Sequence, residues 1–240
     1  LPQVEPGANH EPGRHPRVRC DLEKEHAQLT RPMVSNELDI LRKHLPEAAW
    51  APVLAWLQHH TVRVKVVKPR RTKLGDYWLP RDGRSARITV NNDLNPFAFL
   101  VTLVHEFAHH STYLLAKRAE PHGAEWRNEY QRLMRPFLSP SVLPLDVLHA
   151  LEMHLRDAPA SSCTDRTLMR ALLRHEAEPM LLLEKLPERS LFHFNASIYV
   201  KGPRLRTRYK CRCLNNRRIY LMDPLIEVHT HDPAVVGNAC

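Results

Sequence analysis

Apolar residues recur along this chain with two different periods, and the changes of period divide it into elements. Leu38, Ile40, Leu41 and Leu45 recur at helical spacing from Asn36, and Pro46 interrupts the run. Trp50, Val53, Leu54 and Leu57 predict a second helix over 48–59. Val62, Val64 and Val66 then alternate with Arg63 and Lys65, the period of a half-buried strand. Ala86, Ile88 and Val90 alternate with Arg87 and Thr89, and the Asp82-Gly83 turn signal predicts that these two strands form a hairpin. Asn95-Pro96 marks a helix start, with Asn as the cap and Pro at the first helical position. That helix is expected over 96–117, and a shorter one over 121–135, closed by Pro136.

Residues 138–190 are rich in Leu with scattered prolines and predict short helices. The strand period then returns, as Phe192, Phe194, Ala196, Ile198 and Val200 alternate with polar neighbours. Strands over 205–213 and 218–222 bracket an Asn215-Asn216 turn. The expected fold class is α+β: a small antiparallel sheet packed on a helix pair, a helical connector, and a C-terminal β-hairpin. The expected divisions are a flexible tail at 1–30, a main domain at 31–137, the connector at 138–190, a basic hairpin region at 191–231 and a tail at 232–240. The first tail is placed on its prolines, glycines and charges, which offer little to a core.

Composition adds a bias of charge. Thirty-five Lys and Arg face twenty-six Asp and Glu, for a net charge of +9 and a pI near 9.6. Such a surface attracts polyanions. The five cysteines, Cys20, Cys163, Cys211, Cys213 and Cys240, include no C-x-x-C pair and do not form a disulfide framework by spacing. A reducing, cytoplasmic location is expected, with no membrane partner, since no signal pattern opens the chain and its longest apolar run is too short to span a bilayer.

The chemistry concentrates in His105-Glu106-Phe107-Ala108-His109. On a helix, positions i and i+4 share a face, so both imidazoles can hold one zinc ion while Glu106 reaches its water. Phe97, Leu100, Val101, Val104 and Phe107 make the rest of that helix apolar. Two His and a Glu inside a core helix are costly to bury without a metal or partners. A catalytic zinc site takes three protein ligands and keeps one position open. His122, separated from His109 by twelve residues and at an expected helix start, is the third candidate. Glu125 is the rival, although a carboxylate in a first helical turn is also favoured by the helix dipole alone. His110 is one residue out of register for the metal and is expected behind the site or facing solvent. Thr112 and Leu115 stand where the metzincin pattern needs Gly and His, which excludes that family.

The run HEFAH, twelve residues, then HGAEW resembles the SprT-like zinc metallopeptidases, related to the Spartan DNA–protein crosslink proteases. Lys73-Leu74-Gly75-Asp76-Tyr77, Ile88-Thr89-Val90-Asn91 and Asn95-Pro96-Phe97-Ala98-Phe99 extend the likeness to the bacterial branch of that family. It covers 36–136 closely, and Arg206-Thr207-Arg208-Tyr209-Lys210-Cys211 with Tyr220-Leu221 more loosely. The resemblance implies one catalytic zinc held by His105, His109 and His122, with Glu106 as catalytic base. Many family members end in a zinc ribbon with two C-x-x-C pairs; here only Cys211-Arg212-Cys213 remains. A ribbon-like hairpin without its metal is therefore expected.

Arg204, Arg206, Arg208, Lys210 and Arg212 occupy alternate positions, so a single strand would aim all five to one face. Lys201, Arg217 and Arg218 enlarge the cluster, and no Asp or Glu occurs from Asn195 to Met222. These eight cations are candidate contacts to nucleic acid, as is a second run of Lys65, Lys68, Arg70, Arg71 and Lys73. A solvated edge strand guarded by cations is the plainer reading. The function expected from all of this is zinc-dependent hydrolysis of peptide bonds in a protein substrate, including proteins bound to single-stranded or junction DNA. The alternatives are a non-catalytic zinc-stabilised nucleic-acid-binding module and a zinc hydrolase of a non-peptide bond.

Overall fold

The computed structural model describes residues 33, 35–70, 72–80, 85–156, 165–178 and 180–230. The expected tails at 1–30 and 232–240, the Asp82-Gly83 turn, Arg71, Cys20, Cys163 and Cys240 lie outside the described residues. The elements are α1 (Ser35–Lys43), a 3-10 turn (Glu47–Ala49), α2 (Trp50–Gln58), β1 (Val62–Val67), β2 (Gly75–Trp78), β3 (Ala86–Asn91), α3 (Pro96–Leu115) and α4 (Ala124–Met134). After them come α5 (Leu145–Arg156), α6 (Arg166–Leu173), and four strands, β4 (Leu191–Phe194), β5 (Ser197–Leu205), β6 (Arg208–Cys213) and β7 (Ile219–Met222). The α+β class stands, with two small sheets among the described residues.

The first sheet is mixed rather than antiparallel, with strand order β1-β3-β2. β1 and β3 run parallel, from Val62 opposite Ala86 to Val67 opposite Asn91. The antiparallel partner of β3 is β2, with Gly75 opposite Val90 and Trp78 opposite Arg87. β2 carries the chain back, which is what lets β3 run beside β1 in the same direction. Its sequence, Gly-Asp-Tyr-Trp, has no apolar alternation, so periodicity passes over it. Asn91 fixes the loop between β1 and β2. It is 1% exposed; its Nδ2 donates to the Lys73 carbonyl at 3.0 Å and its Oδ1 accepts from Arg70 Nε at 2.9 Å.

α3 starts where Asn95-Pro96 places it. The Asn95 Oδ1 accepts from the Phe97 and Ala98 amides at 3.1 and 3.0 Å, satisfying two first-turn donors. Its Nδ2 donates to the Leu172 carbonyl and to Glu176 Oε1, tying the end of α6 to the start of α3. Phe99, Leu100, Leu103 and Val104 are fully buried, so α3 is the central helix of the larger core. Trp126, Tyr130 and Met134 of α4 join the same core.

The C-terminal element is a four-stranded antiparallel sheet, β4-β5-β6-β7, rather than one hairpin. The alternation from Phe192 to Val200 is broken by a two-residue turn at Asn195 and Ala196, both left-handed at φ 47° and 58°. A second turn at Arg206 (φ 45°) divides 205–213 between β5 and β6. Both turns use left-handed backbone without glycine, which removes the usual signal for such a hairpin. Phe192, Tyr199, Cys211, Cys213 and Met222 pack with Leu183 and Leu186 in a second, smaller core. Two ion pairs fasten segments flanking this sheet to α6: Arg170 to Glu184 at 2.8 Å and Arg166 to Asp223 at 2.7 Å.

This topology changes the reading of the basic strand. Lys201 is 3% exposed; its ammonium donates to the Glu184 and Leu186 carbonyls and sits 4.0 Å from the centre of the Tyr209 ring. It is a structural cation and offers nothing to an outside partner. The pairing shifts between Lys201 and Arg204, and Arg204 pairs with Tyr209, so it shares the face opposite to Arg208, Lys210 and Arg212. Arg206 is in the turn. Only Arg208, Lys210 and Arg212 share one exposed strand face, with Ile219 and Leu221 of β7 paired beside them. Arg217 and Arg218 are exposed in the β6–β7 connection. In the second run, Lys65 and Lys68 are exposed, whereas Arg70 bonds Asn91 and Thr89, and Lys73 pairs with Asp76.

Candidate metal centre

α3 delivers His105 and His109 on one face, and the α3–α4 connection brings His122 to them. The His105 Nε2 lies 3.2 Å from both His109 Nε2 and His122 Nε2. These three residues form a group whose ligand atoms all lie within 4.8 Å of one another, so they could hold a metal ion. Glu125 is not in that group and occupies the exposed first turn of α4. His122 does not open α4: Gly123 is the cap, and His122 precedes it with a left-handed backbone at φ 61°. A non-glycine residue held there is strained by roughly 1–3 kcal/mol, a conformation that functional positions retain when it aims a side chain.

Aromatic rings seat the imidazoles. Trp126 is 1% exposed and its ring centre lies 4.7 Å from those of both His105 and His122. Tyr130 stacks on Trp126 at 5.0 Å. On the other side of α3, Trp56 lies between Phe107 and His60, at 3.6 and 4.1 Å. His110 is buried there, 2% exposed, and its Nδ1 shares a 3.2 Å hydrogen bond with the Tyr77 hydroxyl. It therefore lies behind the site and does not face solvent.

An open cleft of about 370 Å³ exposes the imidazole group, lined by 72–77 of the β2 segment together with Thr102, His105, Glu106, His109 and His122. Glu106 is 6% exposed. Gly75 makes room for it, since a Cβ at Gly75 would stand 2.6 Å from Glu106 Oε1 and 2.7 Å from Thr102 Cγ2. Sequence periodicity missed Gly75 and Tyr77 as site residues; Gly75 opens β2, and its missing side chain is what lets Glu106 come close to that backbone.

Burial sets the ionisation of the centre. It holds His105 well below the ordinary imidazole range, reinforced by His109 and His122, and brings His109 down to about 4. His122 is lowered as well, by burial. Neutral imidazoles are the form that binds metal. Burial raises Glu106 to about 8, with Asp76 adding to the rise and Arg70 and Lys73 opposing it. Three converging neutral nitrogen donors with an open side fit zinc, which favours imidazole ligands and a free position.

These shifts predict a pH dependence for the metal-free protein. The unfolded chain takes up protons near pH 6.5, whereas His109 resists until about pH 4 in the folded state. The unfolded state binds more protons in that window, so stability is expected to fall as pH drops from 6.5 to about 4. Glu106 acts with the opposite sign, its contribution being lost as pH rises from 4.5 through about 8. Melting temperatures of the chelator-treated Glu106→Gln variant, which lacks the opposing carboxylate, across pH 4–7 check the histidine part; a flat profile would contradict it.

Residues 48–149 match the SprT-like family. The SprT-like segment runs from the 3-10 turn before α2 into α5, and so contains the whole first sheet, α3, α4 and the three histidines. The C-terminal sheet lies beyond it. The match agrees with the resemblance carried by the HEFAH and HGAEW runs, and the family is associated with zinc metallopeptidase-like proteins. No curated protein and no solved structure matches the chain. Among the described residues no helix is long and apolar enough to cross a membrane.

Proposed function

We propose that the chain is a zinc-dependent peptidase whose metal is held by His105, His109 and His122, with Glu106 as general base. The observation that carries this reading is the meeting of three imidazole nitrogens and one buried carboxylate in a common open cleft. A structural zinc site closes its fourth position and needs no carboxylate beside it. Zinc bound here would supply a Lewis acid for the scissile carbonyl and lower the pKa of the attacking water. Glu106 takes the proton from that water and passes it to the departing amine nitrogen. A cation at the imidazoles favours the ionised carboxylate, which counters the burial that raises Glu106. β2 lies at the edge of its sheet and lines the cleft, so an extended polypeptide can lie along its backbone.

The charge supports proteins on nucleic acid as substrates. Arg208, Lys210 and Arg212 share an exposed face, and Arg204, Arg206, Arg217 and Arg218 are exposed around it. Such contacts go to phosphate and carry little sequence preference. Cleavage of a basic DNA-binding protein, with and without single-stranded DNA, tests both parts. Cleavage that a chelator abolishes and zinc restores supports the peptidase, and stimulation by DNA that fades with salt supports the cationic face. No cleavage by the zinc-loaded protein under either condition would overturn the peptidase reading.

A further inference from the structure

His154 stands on α5, beyond the matched segment, and is 2% exposed. Its Nδ1 lies 3.0 Å from Asp165 Oδ2. Asp165 is also the cap of α6, its other oxygen accepting from the Thr167 and Leu168 amides. An ionised carboxylate only accepts, so the proton of a neutral His154 sits on Nδ1 and Nε2 is left as an acceptor. Burial keeps that ring below the ordinary imidazole range against the pull of Asp165. The Nε2 is buried and has no hydrogen-bond partner.

His105 has the complementary need. Its Nε2 faces the other two imidazoles, so in the ligand-competent tautomer the proton is on Nδ1. That Nδ1 is also buried without a partner. Both rings meet the same Tyr130 ring edge-on, His105 at 5.7 Å and His154 at 6.1 Å between centres. A sealed donor without an acceptor and a sealed acceptor without a donor therefore border one side chain.

We propose that one ordered water links the two rings, accepting a hydrogen bond from His105 Nδ1 and donating one to His154 Nε2, and so orients His105 toward the metal. Asp165 fixes the tautomer that permits this. His154 is a positioning residue, and the α5–α6 connector becomes part of the metal centre. Metal-binding imidazoles depend on such outer partners for ring orientation and basicity. This inference rests on the reading of His105, His109 and His122 as ligands.

Two substitutions separate positioning from plain structure. His154→Asn keeps an N–H near the Nδ1 place, and with it the bond to Asp165, but leaves nothing at Nε2. His154→Gln places an amide oxygen near Nε2 and loses the Asp165 geometry. Zinc affinity is measured by competition with a chromophoric chelator, together with the absorption spectrum of the cobalt-substituted protein and the melting temperature of the metal-free form. The expected result is zinc bound about 10–100-fold more weakly by His154→Asn, with an altered cobalt spectrum, and affinity near the parent in His154→Gln. Asp165→Asn keeps the cap yet can donate to Nδ1, moving the proton to Nε2, and is expected to weaken zinc as well. Parental affinity and cobalt spectrum in His154→Asn and Asp165→Asn would overturn the proposal. Failure of the parent chain itself to bind zinc would overturn the ligand reading and this inference together.

Discussion

Glu106→Gln is expected to lower peptide hydrolysis by about 10²–10⁴-fold and to leave the bound zinc in place. The amide has the shape of the carboxylate but cannot take a proton from water. Glu106 is not among the three residues whose ligand atoms converge, so its loss removes no ligand. Burial already holds its pKa at about 8 in the metal-free centre. Replacing a buried carboxylate by a neutral amide removes a desolvation penalty, so the variant should melt no lower than the parent near pH 7. Loss of zinc in Glu106→Gln would show that Glu106 is a ligand and that the assignment of roles is wrong.

Gly75→Ala is expected to damage turnover almost as much, from outside the ligand set. The added Cβ would lie 2.6 Å from Glu106 Oε1 and 2.9 Å from its Cγ, both well inside van der Waals contact. Thr102 Cγ2, at 2.7 Å, blocks retreat on the helix side. Relief must come from moving the carboxylate or lifting β2 off α3. A misplacement of about 1 Å at a reacting group costs on the order of 10²-fold in rate. Zinc affinity should change little, because the three atoms nearest the added Cβ belong to Glu106 and Thr102 and not to a histidine of the group. Steady-state kinetics beside a zinc titration checks this; an unchanged kcat would mean that Glu106 is not held where the reaction needs it.

The parts of the site that were legible in the sequence share a cause. Asn95-Pro96, the apolar run of α3 and the i, i+4 pair of histidines are local signals that tertiary packing reinforces. What was illegible depended on contacts distant in sequence. β2 has four residues and no alternation, so periodicity predicts a hairpin of β1 and β3 where the two run parallel. Counting alternate positions placed Lys201 among outward cations, but the shifted register after it and the two-residue turn at Arg206 divide that series. His154 sits 49 positions from His105, and only the fold brings both to Tyr130.

Zinc-edge X-ray absorption on the purified chain, with metal content measured on the same sample, tests the metal centre most directly. One zinc per chain with three imidazole nitrogens at about 2.0–2.1 Å and one further light-atom ligand is the expected result. The imidazole count should fall in His105→Ala, His109→Ala and His122→Ala. No stoichiometric zinc, or a ligand shell rich in sulfur that points to Cys211 and Cys213 instead, would contradict the site.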